Sequence, residues 1–117
     1  MKVYRKDSGK RFVPQGHANI TARVVFNAEN GCLKASVLLS TLPRGSGMDE
    51  EVHEHSDQIF YVLQGHVNAF SNKEQIATLS EGDAIHVSAG ESHSFSNQEE
   101  QECKLLVVTV PPVDKTR

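Results

Sequence analysis

A chain of 117 residues, 38% hydrophobic and 23% charged, holds one ordinary domain and enough apolar content to build a core without disulfides. Its formal net charge of −3 argues against nucleic acid as the main partner. No apolar run approaches membrane-spanning length and the N-terminus lacks a hydrophobic signal core, so a cytoplasmic protein with no membrane partner is expected.

In chain order, the opening MKVYRKDSGKR carries Lys2, Arg5, Lys6, Lys10 and Arg11. It reads as a solvated edge strand with basic outward positions, the alternative being an arm that contacts phosphate. ITARVVF, from Ile20 to Phe26, is β-branched and alternating, and NAENG after it supplies a turn. CLKASVLLST follows, with Leu33, Ala35, Val37 and Leu39 on one face and Lys34, Ser36 and Ser40 on the other, the period of a half-buried strand. LPRGSGMDEE breaks that period with Pro43, Gly45 and Gly47 and reads as a loop within one domain.

QIFYVLQ is a strand ending at Gly65, with Phe60 and Val62 lining the interior and Ile59, Tyr61 and Leu63 packing on the other side. HVNAF, IATL, AIHVS, HSFSN and CKLLVVTV are further strands, separated by NKEQ, SEGD, AGE and NQEEQE turns. No helix is convincing, and the closing VDKTR is expected to fray. Short strands at this spacing predict an all-β sandwich or barrel over residues 1–117. Cys32 and Cys103 lie far apart in apolar segments and read as buried free thiols rather than a disulfide or a metal pair.

Chemistry concentrates in two stretches. In EVHEHSDQ, His53 and His55 stand two apart, so on a strand both imidazoles project from one face and can aim at one ion. An HxH pair alone is a weak signal. The second stretch, GDAIHVSAGESHSFSN, places His93 just past a turn at Gly90, where the backbone fixes its orientation as a third ligand.

These stretches resemble the two motifs of the cupin superfamily. The first, G(X)5HXH(X)3–4E(X)6G, is matched over about 47–65 by Gly47, His53, His55, Gln58 and Gly65. The second, G(X)5PXG(X)2H(X)3N, is matched over about 82–97 by Gly82, Gly90, His93 and Asn97, with Ser88 where the motif has proline. The resemblance implies a double-stranded β-helix, the jelly-roll barrel, with Gly47, Gly65, Gly82 and Gly90 at turns that a Cβ would strain. It implies a divalent transition metal (Fe, Mn, Ni, Cu or Zn) held by His53, His55, Gln58 and His93. It also implies a homodimer formed through N-terminal strands.

Gln58 departs from the motif twice: it is neutral where a glutamate is usual, and only Ser56 and Asp57 separate it from His55. It is a weak fourth ligand, or it hydrogen-bonds a metal-bound water or substrate. The third reading is a satisfied barrel-lining amide, with Asp57 or Glu51 supplying any carboxylate. Gln58 and His86 are the candidates for a catalytic part. An inward His86 could shuttle protons near neutral pH, although a structural histidine bonded to backbone is the simpler reading. His66 reads as a surface strand residue, and His17, in a polar loop, attracts no role. Tyr61 and Arg44 are weaker candidates for substrate contact than for packing and solvation.

Two functions follow from the resemblance. One is a metal-dependent enzyme, dioxygenase-like or isomerase-like, acting on a small molecule. The other is a non-catalytic module that binds a sugar, an organic acid or the metal itself.

Overall fold

The computed structural model describes residues 1–113 and contains twelve strands. In chain order these are β1 (Arg11–Phe12), β2 (His17–Ala18), β3 (Thr21–Phe26), β4 (Ser36–Leu42), β5 (Ser46–Met48) and β6 (Glu51–Val52). After them come β7 (Asp57–Gln64), β8 (His66–Ser71), β9 (Glu74–Ser80), β10 (Ala84–Val87), β11 (Ser92–Asn97) and β12 (Cys103–Val110). Among the described residues the only helical element is a 3-10 turn at Ala28–Asn30, inside the expected NAENG turn and capped by the Asn27 side chain.

All strand pairs are antiparallel. One sheet has the order β1-β3-β4-β12-β7-β10; the other runs β2-β5-β11-β8-β9, with β6 also paired to β11. Several neighbours in each sheet are distant in sequence, as β12 between β4 and β7 and β11 between β5 and β8 show, and this is the crossing pattern of a jelly roll. The β8–β9 hairpin follows local chemistry: Asn72 and Lys73 both take positive φ, 52° and 65°, the two-residue geometry that suits strand twist.

The core lies between the sheets. Phe60 and Val62 of β7 face it with Val67, Ala69, Leu79, Phe95, Leu105 and Val107. The alternation expected for β7 holds, since Gln58, Phe60 and Val62 are buried while Ile59, Tyr61 and Leu63 are exposed. No layer of the described residues covers that outer side. In β4 the inward residues are Leu38, Ser40 and Leu42, so Val37 and Leu39 look outward and Leu33 lies exposed before the strand. The sequence assigned the opposite face because this sheet is apolar on both sides, and a period of two does not say which side is inner.

Gly65 has φ +80, and a Cβ there would fall 2.8 Å from the Glu102 carbonyl oxygen, so both conformation and space demand glycine. Gly47 needs neither: it sits within β5 at an ordinary φ, and an added Cβ would make only van der Waals contacts. Basic β1 lies at the sheet edge with both residues exposed, although it is far shorter than the basic stretch it ends. Cys32 and Cys103 are free thiols, only Cys103 fully buried. The fraying expected for VDKTR, residues 113–117, lies outside the described residues except at Val113. No helix among the described residues is long and apolar enough to cross a membrane.

Candidate metal centre

Strand β6 is two residues long, and its pairing with β11 sets Glu51 directly opposite His93. Opposed residues of an antiparallel pair share a face, so the carboxylate and the imidazole are neighbours by construction. His53 lies two positions beyond Glu51 and follows it to the same side. Its carbonyl accepts the Gly90 N–H at 2.9 Å, which ties the β6–β7 connection to the turn before β11. One ligand atom from each of Glu51, His53 and His93 lies within 4.8 Å of the others. The His53 and His93 rings have centroids 5.4 Å apart, and His53 Nε2 is 3.9 Å from Glu51 Oε1.

The walls are aromatic on the inner side. Phe60 lies 5.7 Å from His93 centroid to centroid and 4.4 Å from Phe95. Burial therefore holds the His93 imidazolium below its ordinary pKa, reinforced by the charge of His53 and opposed by Glu51. For Glu51, burial pushes upward, but hydrogen bonding to His17 and the charges of His17, His53 and His93 outweigh it and the carboxyl sits below its ordinary value. An ionised carboxylate beside a neutral imidazole is the protonation state in which both donate lone pairs to a cation.

The donor set fits a divalent transition ion by a second measure. Buried polar atoms are normally hydrogen-bonded, yet His93 Nδ1 and Gln58 Oε1 have no hydrogen-bond partner among the described residues. Gln58 shares the inward face of β7 with Phe60, and its Nε2 donates to Thr109 Oγ1 at 3.0 Å.

The other sequence-nominated residues fall elsewhere. His55 lies in the exposed turn before β7, because residues 53–55 form no strand and the two histidines do not share a face. It is not among the atoms that converge. His86 is exposed, with Nε2 3.0 Å from Asp57 Oδ2, so it faces away from the interior. The Ala89 N–H and then His86 hold the exposed Asp57 carboxyl below its usual range. His66 is an exposed strand residue bonded to Ser80, Arg44 pairs with Glu100 at the surface, and Tyr61 is exposed.

Of the carboxylates weighed against Gln58, Glu51 is the one that the fold brings to the histidines. The two-residue spacer before Gln58 was the available signal. Read two positions earlier, Glu51 and His53 take the paired places, and the four residues 54–57 then separate His53 from Gln58, within the motif's spacing.

Known proteins agree with this architecture. A predicted oxalate decarboxylase from Thermotoga maritima superimposes with a TM-score of 0.82 at 24% identity, covering 95% of this chain and 100% of its own. TT1209 from Thermus thermophilus is 30% identical, with a TM-score of 0.73 over 95% of this chain and 98% of its own. The polyketide cyclase RemF from Streptomyces resistomycificus reaches 0.85 at 22% identity, over 96% of this chain and 80% of its own. No curated protein sequence matches. The family model of the cupin domain matches residues 38–109, from β4 through β12, and the chain belongs to the cupin family.

Proposed function

We propose that this cupin is a divalent-metal-dependent enzyme acting on a small molecule with oxygen donors, its ion held by Glu51, His53 and His93. The observation that carries the reading is the convergence of those three side chains within 4.8 Å, beside buried polar atoms that lack hydrogen bonds. Two imidazoles and a carboxylate form a donor set typical of catalytic transition-metal sites with open positions. A bound ion supplies Lewis acidity toward a carbonyl, carboxylate or enolate oxygen.

The chain's own residues do the rest. Glu51 is only partly buried, which leaves an approach from the solvent side of the carboxylate. Phe60 and Phe95 exclude water behind His93, which strengthens electrostatic contacts at the site. Gln58, fixed through Thr109, offers its amide oxygen as a weak further donor or as an acceptor from a substrate hydroxyl. Dioxygenase-like and isomerase-like reactions both suit this set. Similarly folded proteins named for oxalate decarboxylation and polyketide cyclisation support chemistry at oxygen-rich carbon.

A second reading, a non-catalytic binding module, draws on one feature. The cavity that His93 lines holds about 40 Å³, room for little more than water, and neither Glu51 nor His53 lines it, so it is not a substrate pocket over the three donors. Elemental analysis of protein purified without a polyhistidine tag is the first test, with near-stoichiometric transition metal expected. Assay of that loaded protein against diketones, hydroxy acids and uronates separates the two readings. Turnover supports the enzyme, whereas tight binding without turnover across the panel supports the module. The enzyme reading also takes the chain as a homodimer, on the strength of the uncovered apolar face of β7, β12 and β4.

A further inference from the structure

We propose that His17, from the N-terminal strand β2, is a fourth donor of the metal centre, which then consists of three imidazoles and one carboxylate. The inference rests on the metal reading above and adds a residue that neither the HxH motif nor the three-residue cluster contains. His17 Nε2 lies 3.5 Å from Glu51 Oε1, the same oxygen that His53 Nε2 approaches at 3.9 Å. Two donors bound to one transition ion at about 2.1 Å each lie about 3.0–3.5 Å apart. His17 therefore already stands at co-ligand distance from Glu51, while its ring lies outside the 4.8 Å group of Glu51, His53 and His93 and would have to swing toward the two histidines when an ion binds.

Beyond that contact with Glu51, nothing among the described residues occupies His17. Its side chain is 14% exposed and both ring nitrogens are buried; Nε2 has only the long 3.5 Å contact to Glu51, and Nδ1 has no hydrogen-bond partner among the described residues. A neutral imidazole has one donor and one acceptor, and burying both without partners is costly unless an ion or ligand takes one. The backbone meanwhile fixes the residue's place. His17 pairs with Met48 across the β2–β5 ladder, its N–H donates to Pro14 at 3.2 Å, and the Asp49 N–H donates to Gly16 at 2.8 Å. The chain thus reaches three histidines and a carboxylate by a different route from the motif. Glu51 and His17 contribute the donors that His55 and the residue at 58 were expected to supply.

The test uses the full chain without a tag, with Co²⁺ and Zn²⁺ as probes. Co²⁺ affinity and the d–d absorption spectrum are measured for wild type and for His17→Ala, His17→Gln, His55→Ala and His53→Ala. Far-UV circular dichroism is recorded on each, so that a misfolded variant is recognised. Both His17 variants are expected to bind Co²⁺ about 30- to 100-fold more weakly, with a shifted spectrum, and His55→Ala to match wild type within about twofold. In ¹⁵N-histidine-labelled wild type, which does not depend on any variant folding, Zn²⁺ should shift the ring nitrogens of three histidines. Two shifted rings, or His17→Gln binding Co²⁺ like wild type with an unchanged spectrum, would overturn the role of His17 while leaving Glu51, His53 and His93 in place. Loss of nothing in His53→Ala as well would overturn the metal centre itself.

Discussion

The Gln58 amide nitrogen donates to Thr109 Oγ1 at 3.0 Å across the β7–β12 ladder, which leaves the buried Gln58 Oε1 without a hydrogen bond. The residue where the motif has glutamate is therefore half satisfied by the barrel and half available. A glutamate there would keep one hydrogen bond, because the Thr109 hydroxyl can turn to donate. Without an ion, Gln58→Glu puts an anion at a buried position and should lower stability by about 1–3 kcal/mol. With Zn²⁺ present, the added charge should tighten binding about tenfold, or 1.4 kcal/mol, and restore the melting temperature. Thermal unfolding with and without Zn²⁺ checks both halves. A variant whose Zn²⁺ affinity matches wild type would make Gln58 a lining amide and no more.

Asn97 shows a different kind of motif residue, one whose work is structural. It is fully buried; its Nδ2 donates to the carbonyls of Leu42 at 2.8 Å and Gln101 at 2.9 Å, while its Oδ1 accepts the Glu99 N–H at 2.9 Å. Its own carbonyl accepts the Gly45 N–H at 2.8 Å. One side chain thus joins the end of β4, the end of β11 and the turn into β12. Asn97→Ala should cost about 3 kcal/mol or more, since three hydrogen bonds go and buried backbone groups lose their partners. Urea unfolding should show a lower midpoint at an unchanged slope, with metal affinity of the folded fraction preserved.

Much of this was legible in the sequence, and the failures have physical reasons. Strand positions were readable because alternation and turn residues are local signals, as Gly65 and the Asn72–Lys73 turn illustrate. The inward face of His93, shared with Phe95 and Asn97, was readable because a glycine turn before a strand fixes its direction. The convergence of Glu51 with His93 was not, since it depends on β6 pairing with a strand some forty residues away in the chain. His17 was harder still: a loop histidine acquires a role only through the β2–β5 pairing, which no period in its own segment announces. Misplacing His86 had another cause. Parity along β10 could not tell the barrel side from the outer side, and the carboxylate that holds His86, Asp57, lies on a neighbouring strand.

The two thiols offer a prediction about reactivity. Cys103 is buried on the inward face of β12, and burial raises its pKa from the ordinary value to about 11. At pH 8 a thiol reagent should label Cys32, which is partly exposed, and leave Cys103 unlabelled until the protein is unfolded. The same shift has a stability consequence. The unfolded thiol ionises from about pH 9, while the folded one holds its proton to about 11, so the folded state binds more protons across that window. Stability is full below pH 9 and falls as pH rises toward 11. Cys103→Ala should remove that alkaline loss, at the expense of some core packing, when urea midpoints are compared at pH 8 and pH 10.

The outer face of the larger sheet gives a prediction about assembly. Two rows of apolar side chains cross its three central strands: Val37, Val108 and Ile59 in one, Leu39, Leu106 and Tyr61 in the other. Ile59 is 47% exposed, and Tyr61 and Leu63 are each 41% exposed. β-Branched and aromatic residues in such rows are the composition of a covered surface, and a two-fold contact would bury both copies of the same rows. Tyr61→Glu places a charge in the middle of that contact without touching the inward face of β7. Within an isolated chain, a surface substitution of this kind changes stability by about 0.5 kcal/mol or less. Light scattering after size exclusion should therefore give twice the chain mass for wild type and the single-chain mass for Tyr61→Glu, with identical circular dichroism and Co²⁺ binding. Wild type at the single-chain mass under micromolar conditions would rule the dimer out and leave those rows as exposed apolar surface.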